Sequence, residues 1–283
     1  MRNNIWAATI FIDYVTGYVH VALMTDQSGE STLQAKHDYK HLAATRNVRV
    51  KHYHAYNGRF AERSFTNDCK ASTQLINFCG VGAHHQNGIA ENTIKQLTLI
   101  SWTLLVHAQN YWPEYISTML WPFALKAAQD RLNQLNFNLY GTTPDIRFSG
   151  VAAKNLRLQD FHTFGCPCCV LDSRIQTNPK GVPKRDPRAR LVIYLGRYPD
   201  HAGNLDLVLN PNTGLVSQQY HVVFDDDFTM APHLRKGTVP PNWEKLVLSS
   251  RERSTDEFFD LTQTWMQPTS DESADEILEN FLT

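Results

Sequence analysis

The sequence predicts an α/β sheet domain, then a small all-β domain, then an acidic tail. Between residues 6 and 108, β-rich runs and helically spaced apolar residues follow the order β-β-α-β-α-β-α, the alternation expected of an α/β sheet. From residue 161 the pattern changes to short β-runs separated by Pro, Asn, Gly and Asp, the spacing of a small barrel. The last 33 residues hold two basic and nine acidic side chains. The expected boundaries are 1–150 for the sheet domain, 160–230 for the barrel and 231–283 for the tail.

Each element has a local reason. Residues 6–24, "WAATIFIDYVTGYVHVALM", read as two strands joined by a hairpin at Thr16-Gly17. Residues 31–46 read as a helix with Ser31 as N-cap and Ala35, Tyr39, Leu42 and Arg46 along one side. "VRVKHY" alternates as a strand does. A helix from Thr66 to Gln74, the strand "INFCGVG" and the polar loop "AHHQNG" follow. The next helix, Ile89 to Ala108, keeps Ile94, Leu97, Ser101, Leu104, Leu105 and Ala108 at helical spacing. Pro113 and Pro122 divide residues 110–136 into further helical pieces, and "YGTTPDIRFSG" reads as an exit loop. The β-runs of the second domain are "FHTFGCPCCVLD", "RLVIYLGRY", "LDLVLNPNTG" and "LVSQQYHVVFDDDF".

For the tail, Pro-Pro followed by Ser, Thr and acidic residues predicts disorder over most of its length, with Ile277, Leu278, Phe281 and Leu282 able to form one amphipathic turn. No internal repeat is evident.

Bulk properties set outer limits. The chain has 283 residues, 42% of them hydrophobic and 19% charged, enough for a real core. Five cysteines without paired two-residue spacing argue against a secreted disulfide framework or a zinc ribbon, and for a reducing intracellular compartment, nucleus or cytoplasm. The apolar start is interrupted at Asp13 without a cleavage signal, and the uncharged run from Leu97 to Pro113 is too short and too polar for a span of about 20 apolar residues, so neither a signal peptide nor a membrane segment is expected. Of the 27 basic and 28 acidic residues, 25 and 19 lie in residues 1–250, a body at +6. Such a body is compatible with a polyanionic partner but short of a strongly basic stripe.

At "VRVKHYHAYNGRFAERSFTNDCKASTQLINFCGVGAHHQNGIAENTIKQLT" the chain resembles the integrase region of copia-type LTR retrotransposon polyproteins. That family shows a strand ending in Asp-Asn-Gly and a Gln-Asn-Gly-hydrophobic-Ala-Glu segment opening a helix. The matching letters here are Tyr56-Asn57-Gly58 and Gln86-Asn87-Gly88-Ile89-Ala90-Glu91. "FIDYVTGYVHV" resembles the family's second strand and turn, and "FHTFGCPCCVLD", "YLGRYPDHAGN" and "LNPNTGLVSQQYHVVFDDDF" resemble the small Src-homology-3-like barrel that follows the core.

The resemblance spans residues 6 to about 245. It implies an RNase H-like, retroviral-integrase-like core lacking its first strand, with DNA as partner and DNA integration as the ancestral reaction. It also implies two divalent ions, Mg²⁺ or Mn²⁺, held by three carboxylates.

On this pattern Tyr56 stands where the family has its second catalytic Asp, the first Asp has no counterpart in the sequence, and Asp13 matches a later, non-catalytic position. Glu91 is the surviving carboxylate and the residual metal ligand. A phenol, with a pKa near 10, is neutral at pH 7 and a poor ligand for a hard cation. The resemblance therefore implies a degenerate core without stable metal binding. Lys95, Asn57, Gln86 and Asn87 are its DNA-contacting candidates, with Lys95 equally readable as an i,i+4 partner of Glu91. Two other readings stand beside it: a domesticated protein-interaction module without DNA activity, and an integrase assembled in trans. Protein partners and self-association stay open.

Other clusters have ordinary explanations. His52 and His54 share one strand face and His84-His85 are adjacent on a loop, spacings that do not build a zinc site. Cys166, Cys168 and Cys169 lie in an apolar β-run and read as buried thiols. Asp225, Asp226 and Asp227 read as a solvated strand end, because adjacent strand side chains alternate in direction. Trp102, Trp112, Trp121 and Phe123 read as core or helix contacts.

Overall fold

The computed structural model describes residues 5, 7–80, 84–151, 160–171, 188–197 and 205–231. It is a mixed helix and sheet protein of two compact units. Of the described residues, one unit takes those up to 99 and 129–151, and the other takes 100–128 and 160–231. The expected tail and its amphipathic turn lie outside the described residues. Among the described residues, no helix is long and apolar enough to cross a membrane.

In the first unit, β1 (Ala7–Ile12) and β2 (Val19–Met24) form the expected antiparallel hairpin. Its turn is held by Asp13, whose Oδ2 accepts from the Thr16 N–H at 2.8 Å and the Thr16 hydroxyl at 2.6 Å, with Gly17 at φ +72. Helix α1 (Gly29–Thr45) begins earlier than the sequence suggests. Its N-cap is Ser28, whose hydroxyl accepts from the Ser31 N–H at 3.2 Å, while Ser31 donates its own hydroxyl to Asp26. The buried side is Ala35, Tyr39 and Ala43, joined by Lys36.

Strand β3 (His52–Ala55) lies later than "VRVKHY". Val48 and Val50 pack against the core without pairing, so their alternation reports burial and not a ladder. Helix α2 (Arg63–Ala71) and β4 (Leu75–Phe78) follow, β4 running parallel to β3. Phe11, Tyr39, Tyr53, Phe65 and Phe148 build one aromatic core, with Phe11 stacked on Tyr39 at 4.8 Å and Tyr53 edge-on to Phe65 at 5.8 Å. Each such side chain contributes about 1.5–3 kcal/mol by leaving water.

Helix α3 (Gly88–Tyr111) and helix α4 (Trp121–Leu135) each pass from one unit into the other. "YGTTPDIRFSG" is not all loop, because Pro144–Ser149 forms a short helix, α5, with Thr143 as N-cap, Pro144 in its first turn and Gly150 at φ +67 closing it.

The second unit is a five-stranded antiparallel sheet ordered β8-β7-β6-β5-β9. The strands are β5 (Pro167–Leu171), β6 (Ala189–Arg197), β7 (Asp206–Asn210), β8 (Leu215–Gln219) and β9 (Val222–Phe224). Its core adds Leu105, Ala108, Trp112, Tyr115 and Ile116 to Cys166, Cys168, Val192, Ile193 and Leu195 of the sheet segments. Only Tyr220 and His221 separate β8 at one edge from β9 at the other. Two residues span at most about 11 Å, whereas the edges of a flat five-stranded sheet lie roughly 19 Å apart, so this sheet curls. The bulge between Tyr194 and Gly196, with Gly196 at φ +126, supplies a bend. No ladder joins β8 to β9 among the described residues.

Candidate functional site

The site is built at the C-terminal end of β3. Tyr53 and Ala55 face the core while His52 and His54 face outward, and the chain leaves the strand at half-buried Tyr56. Glu91 lies in the first turn of α3, where the helix N-terminus favours a negative charge. Although 35 residues apart, the two meet: the Tyr56 hydroxyl donates a hydrogen bond to Glu91 Oε1.

A small polar network fixes the segment between them. Gln86 Oε1 accepts from the Gly80 N–H at 2.9 Å, tying the start of α3 to the exit of β4. The Gln86 carbonyl lies 3.1 Å from His54 Nε2. A carbonyl can only accept, so this nitrogen carries the proton and the Cys79 sulfur, 3.4 Å away, is a second, weak acceptor. Asn57 Nδ2 makes a long contact of 3.4 Å with the Cys79 carbonyl. Of the residues singled out from the sequence, Tyr56, Glu91, Asn57 and Gln86 thus belong to one cluster. Asn87 is half-buried beside it, and Lys95 is exposed one turn further on. No ion pair joins Lys95 to Glu91 among the described residues.

The donor set does not fit a pair of Mg²⁺ or Mn²⁺ ions. Among the described residues it offers one carboxylate, Glu91, which accepts a hydrogen bond from the Tyr56 hydroxyl, and a phenol is a poor ligand for a hard cation. Among the described residues, no group of three or more His, Cys, Asp or Glu side chains is arranged to hold a metal ion. Asp13 is engaged in its own turn.

No family model and no curated protein matches the chain. Solved structures similar to it include the HTLV-2 integrase catalytic core domain in complex with magnesium, in its trimeric form. That structure is 20% identical with a TM-score of 0.37, over 50% of this chain and 93% of that one. Another is the simian T-cell lymphotropic virus intasome in complex with PP2A regulatory subunit B56 gamma, 15% identical with a TM-score of 0.40, over 77% and 76%. At these scores the likeness assigns nothing to this chain.

Sequence reasoning missed His54, Cys79 and Gly80 as the groups that clamp the loop, since their partners are local only in space. It also missed the buried Lys36, whose Nζ lies 2.7 Å from Asp68 Oδ2 and 3.0 Å from Cys69 Sγ, above the rings of Tyr53 and Phe65.

Elsewhere the ordinary readings fit. Cys166 and Cys168 are buried, and desolvation raises both thiols above their usual range. Cys169 is only half-buried, not buried as expected, and desolvation raises its thiol too. Asp225 caps the turn to Met230, and Asp226 accepts from the Thr163 N–H at 2.6 Å and sits 2.9 Å from His162 Nδ1. Trp112 is buried, with Trp121 and Phe123 partly buried against the same core.

Proposed function

We propose that this chain is an integrase-core-like fragment of a retrotransposon polyprotein that has lost its catalytic metal site and retains nucleic-acid binding. In this reading the first unit derives from an RNase H-like core and the curled sheet of the second from the small barrel that follows it. The supporting observation is the Tyr56–Glu91 contact: the strand end and the helix start that the motif pairs do converge, but on a phenol and one carboxylate. Metal-assisted phosphoryl transfer needs several anionic oxygens to hold two cations and steady both the attacking and the leaving oxygen. One carboxylate cannot do this, so the residues that persist here can position a backbone phosphate but not activate a nucleophile. Lys95 offers the exposed positive charge, and Asn57, Gln86 and Asn87 offer neutral donors.

The test is a nicking and strand-transfer assay with Mg²⁺ or Mn²⁺ on the natural chain and Glu91→Ala, alongside calorimetric titration of Mn²⁺ into the natural chain and Tyr56→Asp. The expected result is no turnover by either protein, no Mn²⁺ binding by the natural chain, and measurable binding once a second carboxylate faces Glu91. Activity abolished by Glu91→Ala would sink the degenerate reading.

A further inference from the structure

Two turns lie side by side in the first unit, at the end of β3 away from Tyr56 and Glu91: residues 46–51 between α1 and β3, and residues 72–74 between α2 and β4. Hydrogen bonds clamp them together. The Val50 carbonyl accepts from Gln74 Nε2 at 2.8 Å and the Lys51 carbonyl from the Leu75 N–H at 2.9 Å, while Lys40 of α1 donates to the Ser72 hydroxyl at 2.7 Å. Val48 and Val50 pack on the core, so Arg49 and Lys51 alternate to the outside.

The surface fixed in this way is positive. "RNVRVKH", residues 46–52, and "CKASTQL", residues 69–75, hold four basic residues and no acidic one. Arg46 is paired with Asp145. Arg49, Lys51 and Lys70 are exposed, and none of them has an ion pair among the described residues. The acids of α1 and α2 do not offset them. Asp68 is held by Lys36, His37 and Lys40, Asp38 accepts from Gln34 Nε2 at 2.8 Å, and Glu30 lies in the first turn of α1, at its far end.

The ordinary reading is that these cations face the C-terminal ends of α1 and α2. Each helix end presents about half a negative charge, roughly one in all against three free cations, so an excess of about two remains. The surface also has an apolar member. Leu75, bonded through its amide to Lys51, is 71% exposed. A row of phosphates has no use for an exposed leucine, whereas an acidic segment with apolar residues does.

This chain contains such a segment. Residues 271–279, "DESADEILE", hold five acidic residues and no basic one. Asp271, Asp275 and Glu279 recur every fourth residue, as do Glu272 and Glu276, and Ile277, Leu278, Phe281 and Leu282 supply an apolar set. We propose that the surface formed by Arg49, Lys51, Lys70 and Leu75 is the docking site of this acidic segment, residues 271–282 of the same chain. About 40 residues lie between Ala231 and Asp271, and an extended chain of that length reaches roughly 130 Å, so the tether sets no limit. Exposed ion pairs are individually weak, but a tethered segment meets its site at a local concentration on the order of millimolar. The proposal rests neither on the reading of Tyr56 and Glu91 nor on nucleic-acid binding.

The probe is a fluorescent peptide with the sequence of residues 269–283, titrated by anisotropy at about 50 mM salt, where screening is weak. It is added to the natural full chain and to a full chain in which Asp271, Glu272, Asp275, Glu276 and Glu279 are replaced by their amides. The expected result is saturable binding to the amidated chain and binding at least about tenfold weaker to the natural chain, whose own segment holds the site. Adding Arg49→Gln, Lys51→Gln and Lys70→Gln to the amidated chain should weaken binding at least about tenfold, since the charge attraction is lost. Arg49→Lys, Lys51→Arg and Lys70→Arg should preserve it, which separates lost charge from lost folding. Leu75→Ser should weaken binding several-fold.

Five outcomes would overturn the proposal: equal affinity for the natural and amidated chains, which means that the segment does not hold the site; full binding after the three cations are removed, which places the peptide elsewhere; no binding to the amidated chain at millimolar peptide; no effect of Leu75→Ser, which leaves a site for any polyanion; or a difference between natural and amidated chains that vanishes on dilution of the protein, which means that the segment of a second copy fills the site.

Discussion

At the scale of single residues, the least expected feature is a lysine with no solvent exposure. Lys36 is held by Asp68 at 2.7 Å, and Asp68 also sees His37 at 3.1 Å and Lys40 at 3.7 Å while remaining 23% exposed. Desolvation works to raise the Asp68 pKa, but Lys36, His37 and Lys40 outweigh it and hold the group at about 2. The two halves of the pair are therefore unequal. Asp68→Ala leaves a buried ammonium without its carboxylate and should cost about 3–5 kcal/mol in a urea titration. Lys36→Met leaves a partly solvated carboxylate still beside Lys40 and the His37 ring and fills the same volume, so it should cost clearly less. A lowered carboxylate pKa contributes stability that is complete above the unfolded value near 4 and is lost as pH falls toward 2. The natural chain should therefore lose stability across that window more steeply than Asp68→Asn. Equal costs for the two substitutions would mean that the ion pair is not what holds Lys36 in the core.

At the scale of elements, what was legible in the sequence depended on whether the deciding contact is local. The β1-β2 hairpin and the centre of α3 follow from alternation and helical spacing within a short window. Helix α5 was readable too, since Thr143 before Pro144 and Gly150 after Ser149 are start and stop signals, but Pro and Gly in "YGTTPDIRFSG" also describe a loop. The position of Tyr56 opposite Glu91 was readable only as a family pattern, because 35 residues separate them. The closure of the β2 edge by Asn133 and Gln129, 114 and 108 residues away from their partners, left no local trace. Gly165 shows how such distant constraints act on one element. It sits at φ +77 just before β5, where an added Cβ would lie 2.5 Å from the Ala108 Cβ of α3 and 3.1 Å from Ile116 Cδ1. Gly165→Ala should cost about 2–4 kcal/mol, from the left-handed backbone and the overlap together. Adding Ala108→Gly should recover the steric part only, and a double-mutant cycle on thermal unfolding separates the two. Full recovery would show that the backbone conformation carries no penalty.

At the scale of the whole molecule, charge separates the body from its C-terminal segment. Residues 1–250 carry 25 basic against 19 acidic side chains, and residues 251–283 carry two against nine. A nucleic acid and this acidic segment are both polyanions, so if the chain binds nucleic acid as proposed the two should compete for positive charge on the body, and the competition should weaken as salt screens it over a Debye length of about 10 Å at 0.1 M. Binding of the full chain to a DNA duplex should fall log-linearly with salt, since each phosphate contact releases counterions. Replacing the nine acidic residues of 251–283 by their amides should raise affinity several-fold at about 50 mM salt and make little difference at about 300 mM. If the amidated variant binds no better at low salt, the segment does not compete for the DNA surface. If neither protein binds DNA at low salt, nucleic-acid binding itself falls.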